Sequence, residues 1–259
     1  MAEEQRLRLL RHSRHPMAGG STLGREAIAV GAAIGLLPAD TMAPGNYDLA
    51  TNIVRDTPLK RVFLHWREHN LDPSHRPSIA AQMNIATGIA LARATRSSAS
   101  EVQSVVLAIA GTGGSALDFW PETLRFAALR KLPIVYVAET GFTGVDQGPL
   151  LAKASAVDLS GKRMDCGLPR IVVDGSDAVA VYRVCYEAIE HARKGYGPTL
   201  VECRNNAGHD AGRKQSVPDP IAAMEHYLRQ KGLWDDEWKS QLVSRIKQEL
   251  AKAVQATIR

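Results

Sequence analysis

The chain has 259 residues, 45% hydrophobic and 23% charged, with a net charge of +5, enough apolar material to bury a full core. Its basic residues are scattered apart from a mild cluster at Arg6, Arg8, Arg11 and Arg14, and aromatic content is only 5%, which excludes the interleaved basic and aromatic platform of a nucleic-acid binder. No apolar run approaches membrane-spanning length, no N-terminal leader pattern is read, and Cys166, Cys185 and Cys203 lie far apart without metal spacing, the expectation for a cytoplasmic chain in a reducing compartment.

After the basic start, residues 17–23 read as a Gly/Ser/Thr loop, and residues 25–37 as a helix with small residues on its buried side, ended by Pro38. Residues 40–52 read as irregular, with Pro44, Gly45 and Asn46 as turn formers. A helix over 59–68 contains His65 and Glu68 and runs into His69, matching H-x-x-E-H. Two imidazoles four residues apart on one face can grip a metal. A third ligand is needed, however, and Asn70-Leu71-Asp72-Pro73 breaks the helix at once, so a surface helix end is the better reading. Residues 78–96 form an Ala-rich helix suited to packing closely against a sheet, and residues 97–100 a polar loop.

The stretch 104–142 organises the rest. Two apolar, β-branched runs at 105–110 and 134–138 read as strands, and between them Phe119, Thr123, Phe126, Ala127 and Leu129 recur at helical spacing. Gly111, Gly113 and Gly114 stand where the first strand turns into the helix, so backbone N–H groups there can approach an anion at a helix N-terminus. A packing turn without a ligand is the competing reading.

A Gly-rich loop at 141–148, a helix at 149–157 and a strand at 170–173 follow. Asp174-Gly175-Ser176-Asp177 reads as a turn, with Ser176 as cap, into a helix over 178–194. Its two acids are better explained by that turn than as a metal pair. A strand at 198–203 leads into a polar loop at 204–220 that holds His209 and is too long for an idle connection. Two helices at 220–231 and 235–257 close the chain, the last carrying Trp238, Leu242, Ile246, Leu250 and Val254 as a docking stripe. Alternating strands and helices predict an α/β fold, a mainly parallel sheet flanked by helices on both faces, with residues 220–259 as a C-terminal helical extension of a single domain over 1–259. Ligands of such folds bind at the carboxyl ends of strands, and Gly111 to Gly114, Gly141 and His209 all follow strand ends.

Several blocks resemble the alpha subunit of the thiamine diphosphate-dependent decarboxylating component of 2-oxo acid dehydrogenases, the group acting on pyruvate, branched-chain 2-oxo acids and acetoin. GREAIAVGAAIGLL, from Gly24, is similar to that family's G-Q-E-A-x-x-V-G-A-x-x-A-L, and AQMNIATGIALA, from Ala81, to its A-Q-x-P-x-A-x-G-x-A-L-A. The stretch from Gly111 through Glu122 and Leu132-Pro133 to Glu139 resembles G-D-G-A…E…AALWxLPVIFVCENN. The run from Val173 to Cys203 resembles V-D-G-N-D…A-R-x-G-x-G-P-T-L-I-E, Gly208-His209 its G-H-S, and Asp219-Pro220 with Gly232-Leu233-Trp234 its D-P-x…G-L-W. The chain is shorter than the family pattern at its start and between Arg55 and Ile79, where the family carries a Gly-Gly-Ser-x-His element.

The resemblance implies a thiamine diphosphate-binding fold, thiamine diphosphate and magnesium as cofactors, and a 2-oxo acid substrate. It also implies a beta-type partner chain, which supplies the glutamate that activates the aminopyrimidine, in a hetero-tetramer or homodimer. It places Gly111, Thr112, Gly113 and Gly114 at the diphosphate, Gly141 at the end of the next strand, Ile79 near the aminopyrimidine, Tyr47 at the family's Tyr-Arg pair, and His209 where it assists proton transfer or binds phosphate; Glu122 and His209 are the acid or base if the pocket takes a different anionic substrate. The chain departs from the pattern at the metal. Thr112 stands at the family's magnesium-binding Asp and Gly141 at its Asn, while the family's His falls on Leu49. Magnesium needs hard oxygen ligands, and no side-chain metal ligand is expected at these positions. A catalytic subunit, a non-catalytic subunit that stabilises a partner, and a repurposed enzyme that no longer uses magnesium thiamine diphosphate are all compatible with these residues.

Overall fold

A computed structural model describes residues 24–43, 49–68, 79–96, 103–110, 120–140, 167–204 and 219–258. In chain order these form α1 (Glu26–Ala33), β1 (Thr41–Met42), α2 (Leu49–Val54), α3 (Leu59–Glu68), α4 (Ile79–Arg96), β2 (Val106–Ala110) and α5 (Trp120–Leu129). There follow β3 (Ile134–Thr140), β4 (Arg170–Asp174), α6 (Ala178–Arg193), β5 (Thr199–Arg204), α7 (Pro220–Gln230) and α8 (Asp236–Ile258).

The strands make one five-stranded sheet in the order β1-β2-β3-β5-β4, parallel at every pairing. Side chains alternate across a strand, so each strand feeds two cores. On one face Val106, Ala108, Ile134, Tyr136 and Leu200 pack against Met83, Ala86 and Ala90 of α4 and Leu124 and Ala127 of α5. On the other face Leu107, Val135, Val137, Val201 and Cys203 pack against Ile28 and Ala32 of α1 and Val181, Cys185 and Ala188 of α6. Burial on both faces is why β2 and β3 read as continuous apolar runs without a polar alternation.

Helices α1 and α6 approach so closely that a Cβ built on Gly31 would lie 2.9 Å from Val181 Cγ1 and 3.0 Å from both Ala178 O and Tyr182 N. Two of those three atoms are backbone and cannot swing away. Gly31→Ala should therefore destabilise the fold by about 1–3 kcal/mol through overpacking, seen as a lower denaturation midpoint with unchanged denaturant dependence.

The predicted α/β architecture is the observed one, with several local corrections. The first helix ends at Ala33 rather than 37, because residues 37–40 form a turn in which Leu37 N donates to Asp40 Oδ2 at 2.7 Å. Within the span read as irregular, Thr41 and Met42 pair with Val106 and Leu107, and α2 begins at Leu49; two residues are too few to show a strand period. The strand read as 134–138 continues to Thr140, since Glu139 and Thr140 pair with Cys203 and Arg204 of β5.

Among the described side chains of α5 Leu124 and Ala127 are buried, whereas Phe126 and Leu129 are exposed, so the buried face is rotated from the one the spacing suggested. The cap of α6 is Asp177, not Ser176: its carboxylate accepts from Val179 N and Ala180 N, while the Ser176 hydroxyl donates to Asp174 Oδ1. The two acids of this turn are thus a cap and a turn brace.

The stripe of α8 docks from Ile246 onward. Leu250, Ala253 and Val254 pack on Val62 and Phe63 of α3, while Trp238 is half exposed. No helix among the described residues is long and apolar enough to cross a membrane. The helix expected at 149–157, the loops at 141–148 and 205–218, and His69 of the H-x-x-E-H pattern lie outside the described residues.

Candidate anion site at the strand ends

Parallel pairing brings the carboxyl ends of β2, β3, β5 and β4 to one edge of the sheet. Ala110 is level with Ala138, Thr140 with Arg204, and Asp174 with Arg204. Gly111 directly follows Ala110, and Gly141 directly follows Thr140. The Gly-rich turn and the Gly141 position therefore leave from adjacent strands at the same end of the sheet, and the segment holding His209 leaves from the strand next to them.

Gly111, Thr112, Gly113, Gly114, Gly141, Tyr47 and His209 themselves lie outside the described residues. Ile79 is the first residue of α4. Glu122 lies in the first turn of α5, 83% exposed, with Arg125 Nη1 3.7 Å away. A carboxylate there favours the positive end of the helix dipole. The same helix is tied to α4 by Thr123 Oγ1 donating to Asn84 Oδ1 at 2.5 Å.

Apart from Asp174, the charges nearest the strand ends are ones that sequence reasoning did not single out. Glu139, two residues before Gly141, is only 8% exposed, and its Oε2 is paired with the Arg25 guanidinium at the start of α1. On β5, Glu202 is 1% exposed and is held by two arginines. Its Oε2 accepts from Arg170 Nε at 2.9 Å and from Arg170 Nη2, and its Oε1 accepts from Arg204 Nε at 2.8 Å. On β4, Asp174 Oδ1 accepts from Ser176 N at 2.9 Å and from Ser176 Oγ at 2.7 Å. Buried carboxylates persist only when paired in this way. The available signal was a Glu inside an otherwise apolar strand, but nothing in the sequence pairs Glu139 with a residue more than a hundred positions away.

Below the rim, the Thr87 hydroxyl donates to Met83 O at 2.8 Å, so its 2.7 Å contact with Tyr136 Oη has the phenol as donor. Burial pushes the Tyr136 phenol up to about 12, against the hydrogen bond to Thr87 that pulls it down. Tyr136 stays a neutral brace between sheet and α4.

The profile of the dehydrogenase E1 component family matches residues 1–258. The chain belongs to that family. It is 31% identical over 253 residues to the pyruvate dehydrogenase E1 component subunit alpha of Acholeplasma laidlawii, covering 88% of this chain and 72% of that one. It is 30% identical over 257 residues to the proteins of the same name from Staphylococcus aureus and Staphylococcus epidermidis, covering 90% of this chain and 68% of each. A looser likeness, TM-score 0.40 at 16% identity over 70% of this chain and 28% of the other, is to a 2-oxoglutarate:ferredoxin oxidoreductase from Magnetococcus marinus.

The side chains at the two positions where the resemblance expects metal ligands do not fit magnesium. Thr112 brings a neutral hydroxyl and Gly141 no side chain, where hard, preferably anionic oxygen donors in octahedral geometry are required. Among the described residues no group of three or more His, Cys, Asp or Glu is placed to hold a metal ion.

Proposed function

We propose that this E1-family chain is the alpha-type half of a 2-oxo acid dehydrogenase, working in the cytoplasm with a beta-type chain to decarboxylate a small 2-oxo acid, as one domain over 1–259. The observation that carries the reading is the family match over residues 1–258. The parallel sheet supports it, since Gly111 and Gly141 leave from adjacent strands at one edge, where open α/β folds bind ligands. Thiamine diphosphate, when bound, supplies the electron sink for decarboxylation.

In this reading Gly111, Gly113 and Gly114 receive the diphosphate through main-chain N–H groups, which needs close backbone approach and no side-chain charge. Ile79 and Tyr47 line the organic part of the cofactor. His209 is the proton-transfer residue, since imidazole is the side chain that gains and loses a proton near neutral pH. Glu122, if it serves as an acid or base, does so from a solvated helix start, where it also steadies α5.

Co-expression with a beta-type chain of the same family, followed by measurement of carbon dioxide release from pyruvate and branched 2-oxo acids, tests the proposal. The expected result is a complex that decarboxylates one of these acids when thiamine diphosphate is supplied, with His209→Ala lowering the rate by about 100-fold or more. A complex that assembles and releases no carbon dioxide from any of them would leave the chain a stabilising subunit without catalytic function.

A further inference from the structure

The two buried carboxylates described near the strand ends are already held by arginines, and the exposed Asp174 braces its own turn through one oxygen. Glu139 is paired with Arg25, Glu202 with both Arg170 and Arg204, and Asp174 closes its own turn through Ser176. A guanidinium stays charged at any working pH and repels a second cation brought to the carboxylate it holds. Arg25 is the telling residue. It occupies the Gln position of the family's G-Q-E-A block, and its guanidinium reaches Glu139 on β3, two residues before Gly141. The same end of the strand has therefore lost a metal donor at Gly141 and gained a fixed cation at Arg25.

We infer that this site takes its diphosphate-type anion without a divalent metal, and that the Arg25–Glu139 pair closes the end of β3 to metal coordination. The inference rests on the E1-type reading of the site. An anion held by main-chain N–H groups needs no bridging cation, whereas a magnesium-bridged diphosphate needs protein oxygens that these positions do not offer.

The test is calorimetric titration of the complex with inorganic pyrophosphate and with thiamine diphosphate, in EDTA and again in magnesium, together with manganese titration followed by its paramagnetic resonance signal. The expected result is that both anions bind in EDTA, that their affinities in magnesium, counted on the anion not complexed by the metal in solution, agree within about twofold, well inside the tenfold step that one charged contact would make, and that the complex without pyrophosphate leaves manganese free. The triple variant Arg25→Gln, Thr112→Asp, Gly141→Asn should acquire manganese binding and a magnesium preference of about tenfold or more. Should that variant not fold, the comparison of buffers on the unaltered complex still decides.

Binding at least tenfold tighter in magnesium, manganese captured by the unaltered complex, or no heat from either anion in either buffer overturns the inference. Metal-free anion binding by a complex without decarboxylase activity would sink the function and leave this inference standing. Magnesium-dependent decarboxylation would do the reverse.

Discussion

Asp40→Ala is expected to destabilise the chain by about 3–5 kcal/mol, the range for breaking a buried ion pair by removing one partner. The Asp40 side chain is fully buried and Arg193 nearly so. Its carboxylate accepts from Arg193 Nη1 at 3.0 Å and Nη2 at 2.8 Å, from Val105 N at 2.8 Å, and from Leu37 N at 2.7 Å. One side chain thus joins the end of α1, the entry to β2 and the last turn of α6. Truncation leaves two backbone donors without their acceptor and Arg193 with only Glu190 and Gln103 O.

The pH dependence follows from the same contacts. Burial alone would raise the Asp40 carboxyl, but the hydrogen bonds from Arg193, Val105 N and Leu37 N, with the Arg193 charge, outweigh it and hold the group below its ordinary value. A depressed folded pKa means that the unfolded chain binds the proton more readily. The contribution is therefore complete above the unfolded carboxyl pKa of about 4 and is lost as pH falls through the folded value. Urea unfolding from neutral to acid pH should show the gap between the natural chain and Asp40→Ala narrowing only below about pH 4. A gap that closes near neutrality would contradict the assignment.

Phe63→Ala is expected to cost about 3–5 kcal/mol, felt mainly in the C-terminal helix. Phe63 is fully buried in a cluster with Val62, Leu250, Ala253 and Val254 that shares no residue with either core of the sheet. Separate cores open as separate cooperative units. Hydrogen exchange should accelerate in α3 and the second half of α8, while amides of β2 and β3 keep their protection. Equal acceleration across the sheet would show that the two regions unfold as one.

The strands carrying both cores were legible because a parallel strand buried on both faces is a continuous apolar, β-branched run, as in Val106–Ala110. The α8 stripe was legible too, but its spacing did not show that the part from Ile246 to Val254 would be the part packed on α3, because that partner sits far back in the chain. Ser176 and Asp177 are both plausible caps one residue apart, and only the backbone decides which carboxylate or hydroxyl faces the first N–H groups of α6. At the strand ends Gly111, Gly113, Gly114 and Gly141 are read from the letters alone, and the roles given to them rest on the family resemblance. The Arg25–Glu139 and Arg170–Glu202–Arg204 pairings could not be read so, because they are made by strand order and register.

The two cysteines packed between the sheet and α6 have a chemical consequence. Both Cys185 and Cys203 are fully buried and unbridged, and burial pushes the Cys185 thiol up to about 12. Burial raises Cys203 as well, helped by the neighbouring Cys185, Glu139 and Glu202. Only the thiolate is the nucleophile, and at neutral pH a thiol near 12 is ionised to roughly one part in a hundred thousand. Both sulfurs are therefore inert to alkylating reagents and peroxide while the sheet is intact, and their reactivity marks the moment the core opens.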